Sequence, residues 1–278
     1  MQLLQKLKGW DFGTASREVD KVLGNVSKDP PSKPALPPER RKELLREVWK
    51  GSRPLSDGDA AHAYLTGARR LSLAGVDVGD LRFHPKLRRL DNLGGGEHPA
   101  LLALVRDHAG NPVSLHRTFL GESGHVGRAM MAGDLPDSIA VRLGAPINGK
   151  LAIAEGLETA LAVSRLFGVV CWSTVNAGYL AKFVPPEGVE RVVIYGDSDQ
   201  SFTGQAAAYA CARRLVGMGY SVAVELPSVL GMDWADGTSN PSARLRANNW
   251  DEEAPCQHGD APLLPAKERM VRPYALAG

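Results

Sequence analysis

A chain of 278 residues with 44% hydrophobic and 23% charged side chains has the makeup of an ordinary globular protein. It is long enough for one large or two small domains. The net charge is only +2, no apolar run approaches the roughly 20 residues of a spanning helix, and MQLLQKLKGWDF lacks a signal peptide's apolar core, so a cytoplasmic protein with no membrane partner is expected. Cys171, Cys211 and Cys256 lie far apart without Cys-x-x-Cys or Cys/His spacing, which excludes a disulfide framework and a zinc site.

Residues 1–27 read as a short helical piece, with Ala15, Val19, Val22 and Leu23 at helical spacing before Gly24. Pro30, Pro31, Pro34, Pro37 and Pro38 make 28–38 a semi-extended linker, because proline at that density neither continues a helix nor donates to a sheet. Residues 39–149 read as a smaller α+β subdomain. It has an amphipathic helix at 39–50, with Leu44, Leu45 and Val48 on one face, and a second helix at 57–65. From Ala100, ALLALVRD and PVSLHRTFL flank the turn Ala109–Asn111, a β-hairpin, and Ile139–Leu143 is a further strand.

Beyond Lys150 strands and helices alternate. Leu151–Ala154 leads to a helix at 157–167, Val169–Trp172 to 177–183, Val192–Tyr195 to 203–217, and Ser221–Leu226 to 234–247. That alternation predicts a parallel α/β sheet over 150–250. The tail 251–278 has scattered Pro and Gly without period and reads as disordered. Charge is uneven: residues 1–150 hold 23 Lys and Arg against 17 Asp and Glu, an excess of +6, and 151–278 hold 10 against 14, or −4. A basic front beside an acidic rear suits a polyanion held by one part and processed by the other.

Two acidic strand ends carry the chemistry. LAIAEG ends a strand at Glu155, and VVIYGDSD ends another at Asp197 and Asp199. In an open parallel sheet ligands bind beyond the carboxyl ends of the strands. Three carboxylates there suit a hard cation, Mg²⁺ above all. Alternate residues of an extended segment share a face, so Asp197 and Asp199 can address one ion. Asp233 and Asp236 in GMDWADG supply a second metal position, and a two-metal site clamps the attacking and leaving oxygens of a phosphoryl displacement. Glu158, a turn beyond Glu155, is given no more than a supporting role. DSDQSFTG is no calcium loop, having Phe202 at the sixth position and Ala208 at the twelfth. GAPINGKL is no P-loop, because Leu151 replaces Ser/Thr and a strand follows. Arg117, Arg128 and Arg142 are candidates for phosphate contact. Of the seven histidines, His116 and His125 merit watching.

The Glu-Gly strand end, the Asp-x-Asp strand end and the later acidic site, in this order over roughly 150–240, resemble the Toprim domain of bacterial-type primases, topoisomerases and some nucleases. GWDFGTASREVDKVLG, YL, LRFHP, HRTFL and AVRLG, in turn, resemble the front of phage- and plasmid-type primases, the DnaG-like catalytic core. The resemblance implies an α/β protein: a C-terminal parallel, Rossmann-like Toprim domain behind the α+β subdomain. The chain would begin where a zinc ribbon would end, with no helicase domain following.

The implied activity is that of a DNA primase, a nucleotidyltransferase of the EC 2.7.7 type making short RNA primers on single-stranded DNA. Glu155, Asp197 and Asp199 would be catalytic, and these with Asp233 and Asp236 would hold Mg²⁺, or Mn²⁺ in its place. Arg117, Arg128 and Arg142 would meet template or nucleotide. Single-stranded DNA and ribonucleoside triphosphates are the implied partners, with a replicative helicase as a further one. A Toprim nuclease, or a non-catalytic DNA-binding or replisome-docking protein, remain open alternatives.

Overall fold

The computed structural model describes residues 6–11, 14, 18, 37–89, 95–122, 124–131, 135–227, 230, 231 and 234. The predicted helix at 234–247 and the tail therefore lie outside the described residues, apart from Trp234. The chain divides into two units, 1–40 and 41–278. In the first, the Asp11 carboxylate accepts the Thr14 N–H at 2.7 Å, a helix-start contact.

Helix α1 (Pro38–Lys50) opens on proline, whose missing N–H costs nothing in a first turn, and carries Glu39 and Lys50 at the ends that suit its dipole. Leu45, Val48 and Trp49 pack on Leu87, Ala100, Leu102, Leu115 and Phe119. Helix α2 (Ala60–Ala63) widens into a π-type turn over Tyr64–Ala68, closed by the Arg69 N–H on the Tyr64 carbonyl at 2.9 Å. The wide turn brings Tyr64 and Leu65 into the core.

Among the described residues one ten-stranded sheet runs through the second unit. Its antiparallel part holds β1 (Arg53–Pro54), β2 (Leu81–Arg89), β3 (Gly96–Asp107), β4 (Pro112–Gly121) and β5 (Gly124–Met130). The segment LRFHP is thus the start of β2. Pro85, which cannot donate to the ladder, sits at the irregularity between His84 and Leu87. HVGRAM, read in the sequence only for its basic residue, pairs with β4 as a strand.

The long β3 joins the two halves of the sheet. One of its edges carries β2 and then, over Val105–Asp107, β6 (Ile139–Val141); the other carries β4. From β6 the order continues through β8 (Cys171–Ser173), β7 (Lys150–Ala154), β9 (Arg191–Tyr195) and β10 (Ser221–Glu225). The pairs β7–β8, β7–β9 and β9–β10 are parallel, as the strand–helix alternation predicts.

Period-2 alternation sorts the parallel strands into two apolar faces. Ala152, Ala154, Val193 and Tyr195 pack with Leu157, Ala160 and Leu161 of helix α3 (Leu157–Phe167). Leu151, Ile153, Val192 and Ile194 pack with Leu180 of α4 (Ala177–Lys182) and with Ala208, Cys211 and Leu215 of α5 (Thr203–Gly217). Helix α3 stops at Gly168, whose φ of 65° is a left-handed cap. Among the described residues no helix is long and apolar enough to cross a membrane.

A bidentate pair ties the chain entering β2 to the end of β3. Arg106 Nε and Nη2 donate to Asp80 Oδ2 and Oδ1, each at 2.7 Å. Asp80→Asn keeps the shape and removes the charge, so thermal melting should show a loss of about 2 kcal/mol, the usual worth of hydrogen bonds to charged groups. An unchanged melting temperature would show the pair to be dispensable.

Candidate metal centre at the strand ends

Parallel pairing places Ala154 opposite Tyr195, so Glu155 leaves β7 where Gly196 and Asp197 leave β9. Both strand ends are tightly built. The Ser173 hydroxyl donates to the Glu155 carbonyl at 3.1 Å, and the Thr174 hydroxyl to that of Ala154 at 3.1 Å. A Cβ on Gly196 would lie 2.7 Å from Leu226 Cδ2 and 3.0 Å from Ala208 Cβ. One on Gly204 would meet the Asp197 carbonyl at 2.9 Å and Asp199 Oδ2 at 3.0 Å. The first turn of α5 therefore sits directly on the Asp-Ser-Asp segment, which only glycine at 204 permits.

The carboxylates differ in environment. Burial raises the pKa of Glu155, the backbone N–H of Ala177 at the start of α4 opposes the rise, and the charge of Asp199 adds to it. Asp199 is turned to the start of α5. It accepts from the Ser201 hydroxyl at 2.5 Å and from the backbone N–H groups of Gly204 at 2.7 Å and Thr203 at 3.2 Å. These bonds, Ser201's first, hold its carboxyl below the usual range. A helix start offers N–H groups with no partner inside the helix, and the nearest anion takes them. The Trp234 indole donates to the Gly196 carbonyl at 3.1 Å and packs edge-on to Tyr195 and Phe167, with ring centroids 5.2 and 5.7 Å away. The residue between Asp233 and Asp236 is thereby anchored at the end of β9; those two aspartates lie outside the described residues.

Among the described residues no three His, Cys, Asp or Glu side chains are grouped as a metal cage. The donor set nonetheless fits a hard dication. It is all oxygen, on adjacent parallel strands, and Glu155 feels the repulsion of Asp199 that a cation between them would relieve. Cys171 and Cys211 are buried and free, and burial pushes both thiols up, Cys211 to about 11.

The three candidate arginines all have intramolecular partners. Arg117 Nη2 donates to the Met130 carbonyl at 3.0 Å, and its guanidinium lies over Phe119. Arg142 Nη2 donates to the carbonyls of Asp107 and His108, each at 3.0 Å, and its guanidinium stacks 4.5 Å from the Trp172 ring centroid. Arg128 pairs with Glu158 at 2.5 Å. Glu158 also accepts from the Tyr64 hydroxyl at 2.8 Å. Burial alone would raise the Glu158 carboxyl, but Arg128 and Tyr64 overcome it and hold it below the usual range. No spacing in the sequence links residues 64, 128 and 158, so this cluster could not be read there.

Residues 150–242 match the Toprim domain. This part of the chain is a Toprim domain. Residues 39–138 match a domain of unknown function, DUF7146. No curated protein matches the chain. Among solved structures the chain is similar to a DNA primase domain from Pseudomonas aeruginosa, at 13% identity and a TM-score of 0.47 over 77% of this chain and 78% of that one. It is similar to the RNA polymerase domain of Mycobacterium tuberculosis primase DnaG, at 18% and 0.44 over 74% and 80%. It is also similar to a DnaG primase catalytic domain bound to ssDNA, at 14% and 0.48 over 74% and 79%.

Facing the Toprim domain from β4, His116 feels the charges of Glu158, Arg128 and Arg117, and burial is the main reason its pKa falls from 6.5 to about 4. The folded state thus keeps His116 neutral where the unfolded chain would protonate it. Its contribution is intact above pH 6.5 and is lost as pH falls towards about 4. Up to about 3 kcal/mol should disappear over that window. His116→Asn should flatten this part of the stability–pH curve in chemical denaturation; an identical curve for the variant would clear His116 of the role.

Proposed function

We propose that the chain is a primase-like nucleotidyltransferase that makes short RNA primers on single-stranded DNA with Mg²⁺, or Mn²⁺ in its place. The reading is carried by one observation: a Toprim domain has Glu155 and the Asp197–Asp199 segment at the carboxyl ends of adjacent parallel strands, in a sheet continuous with the β2–β5 antiparallel part. That antiparallel part holds LRFHP and HRTFL, the segments in which the sequence resembles primases rather than Toprim nucleases.

In this reading Glu155, Asp197 and Asp199 would hold the ion, joined by Asp233 and Asp236. When bound, the ion supplies charge to orient a triphosphate, lowers the pKa of the attacking 3′-hydroxyl and stabilises charge at phosphorus. Glu155, at the end of β7, would be placed to hold the ion or to act as acid or base beside the reacting phosphate. Ala177 N–H keeps its carboxylate oriented, and the start of α5 does the same for Asp199. Ribonucleoside triphosphates and single-stranded DNA are the substrates, and a replicative helicase is the natural further partner. Arg117, Arg128 and Arg142 are the template-side residues of the proposal. Their existing contacts mean that a phosphate would share guanidiniums already oriented by the protein rather than recruit mobile ones.

The test is incorporation of labelled ribonucleotides on single-stranded DNA with Mg²⁺ or Mn²⁺. Wild type should extend primers, and Asp197→Asn should lower the rate by at least about 100-fold with the melting temperature held or raised without metal, because one like charge is removed. Wild-type rates from Asp197→Asn would remove it from the site. Degradation of the DNA with no synthesis would favour the nuclease.

A further inference from the structure

Glu158 stands in the first turn of α3, three residues after Glu155, and is 7% exposed. Its Oε1 receives both the Arg128 guanidinium at 2.5 Å and the Tyr64 hydroxyl at 2.8 Å, and Arg128 also donates to that hydroxyl at 3.1 Å. Tyr64 is 5% exposed and Arg128 37%. Three distant segments of the chain, the π-type turn, strand β5 and helix α3, thus meet on one carboxylate oxygen.

Stability alone is a poor reason for such a cluster, since apolar residues of similar volume commonly serve a buried site as well as an ion pair does. An ion pair with a shared hydroxyl adds direction instead: it fixes where the first turn of α3 lies. Apolar packing of Leu157, Ala160 and Leu161 already seats that turn in the core, and the cluster adds a directional tie to it. Gly156, between Glu155 and α3, has no side chain, and α3 has no side-chain cap at its start. Ser173 holds the Glu155 carbonyl and the Ala177 N–H its carboxylate; beyond Gly156, the Glu158 carboxylate is the polar tie between the first turn of α3 and the front half of the chain.

We propose that Glu158 is a positioning residue for the acidic site, anchored by Arg128 and Tyr64, so that the front half of the chain sets the metal affinity of the Toprim domain. The proposal rests on the reading of Glu155 as a metal-holding residue. It assigns Arg128 a duty within the protein whether or not template phosphate also touches it.

Electrostatics and positioning make opposite forecasts for one variant. If only long-range charge mattered, Glu158→Gln would weaken cation binding and Arg128→Met would tighten it. If Glu158 acts by holding α3, both variants weaken it, because either loss frees the turn.

The measurement is Mn²⁺ binding to the full chain, followed by the electron paramagnetic resonance signal of the free ion. Expected is a loss of about tenfold in affinity for Glu158→Gln and for Arg128→Met, the lower end of what outer residues supporting a metal site contribute, and a smaller loss for Tyr64→Phe. Asp80→Asn, which breaks an ion pair unconnected with the site, serves as a control for lowered stability and should bind as wild type does. Should Arg128→Met fail to fold, Arg128→Lys keeps the charge while shortening the reach, and should still weaken binding. Tighter or unchanged binding by folded Arg128→Met, or by Arg128→Lys in its stead, overturns the proposal, as does equal weakening by Asp80→Asn. Glu155→Gln separates the two readings. If it leaves Mn²⁺ affinity at the wild-type value, the metal reading falls and the positioning role with it; if it abolishes binding while Arg128→Met does not weaken it, only the positioning role falls.

Discussion

Parallel pairing of β7 with β9 brings the carboxyl ends of both strands to one edge of the sheet, and acids that repel one another are brought there together. The surroundings answer that repulsion with backbone N–H groups. Ala177 at the start of α4 offers one to Glu155, and Thr203 and Gly204 at the start of α5 offer theirs to Asp199. Helix starts carry the positive end of the peptide dipoles, so the same strand-to-helix turns that create the acidic edge also moderate it. Such an edge, in which Glu155 is partly buried and the donors are all oxygen, has the chemistry that the proposed hard cation would need.

Close packing sets how near these groups come. Gly196 and Gly204 let α5 settle on the end of β9 at distances no side chain would allow. The Trp234 indole, packed against Tyr195 and Phe167, is held at the same strand end by the Gly196 carbonyl. On the other side, β3 changes partners from β2 to β6 along one edge, making the antiparallel and parallel parts a single sheet. The Tyr64–Arg128–Glu158 cluster adds a second bond between them, made of side chains. The Toprim domain is thus joined to its neighbour both through the sheet and through side chains.

Much of the fold was legible because burial writes itself into local patterns. LAIA, VVIY and the helices after them showed apolar runs and helical periods, which is what strands covered on both faces and helices covered on one require. The hairpin at Ala109–Asn111 was legible from its turn residues. Strand β5 was not, because its residues alternate weakly and are mostly partly exposed, so no period marks it. Helix α2 was read without its π-type widening, which a helical period does not reveal.

The sequence by itself determined the strand–helix order, the acids that end the strands and their chemical type, since these depend on residues close together in the chain. Only the tertiary structure decided what each charge touches. Asp199 faces α5, and Arg117 and Arg142 rest on backbone carbonyls and aromatic rings. Arg128 and Tyr64 reach across to Glu158, a residue of helix α3, which packs on the parallel part of the sheet. Such pairings join residues up to 94 positions apart, and nothing in local spacing encodes a contact whose partners meet only when distant strands share one sheet.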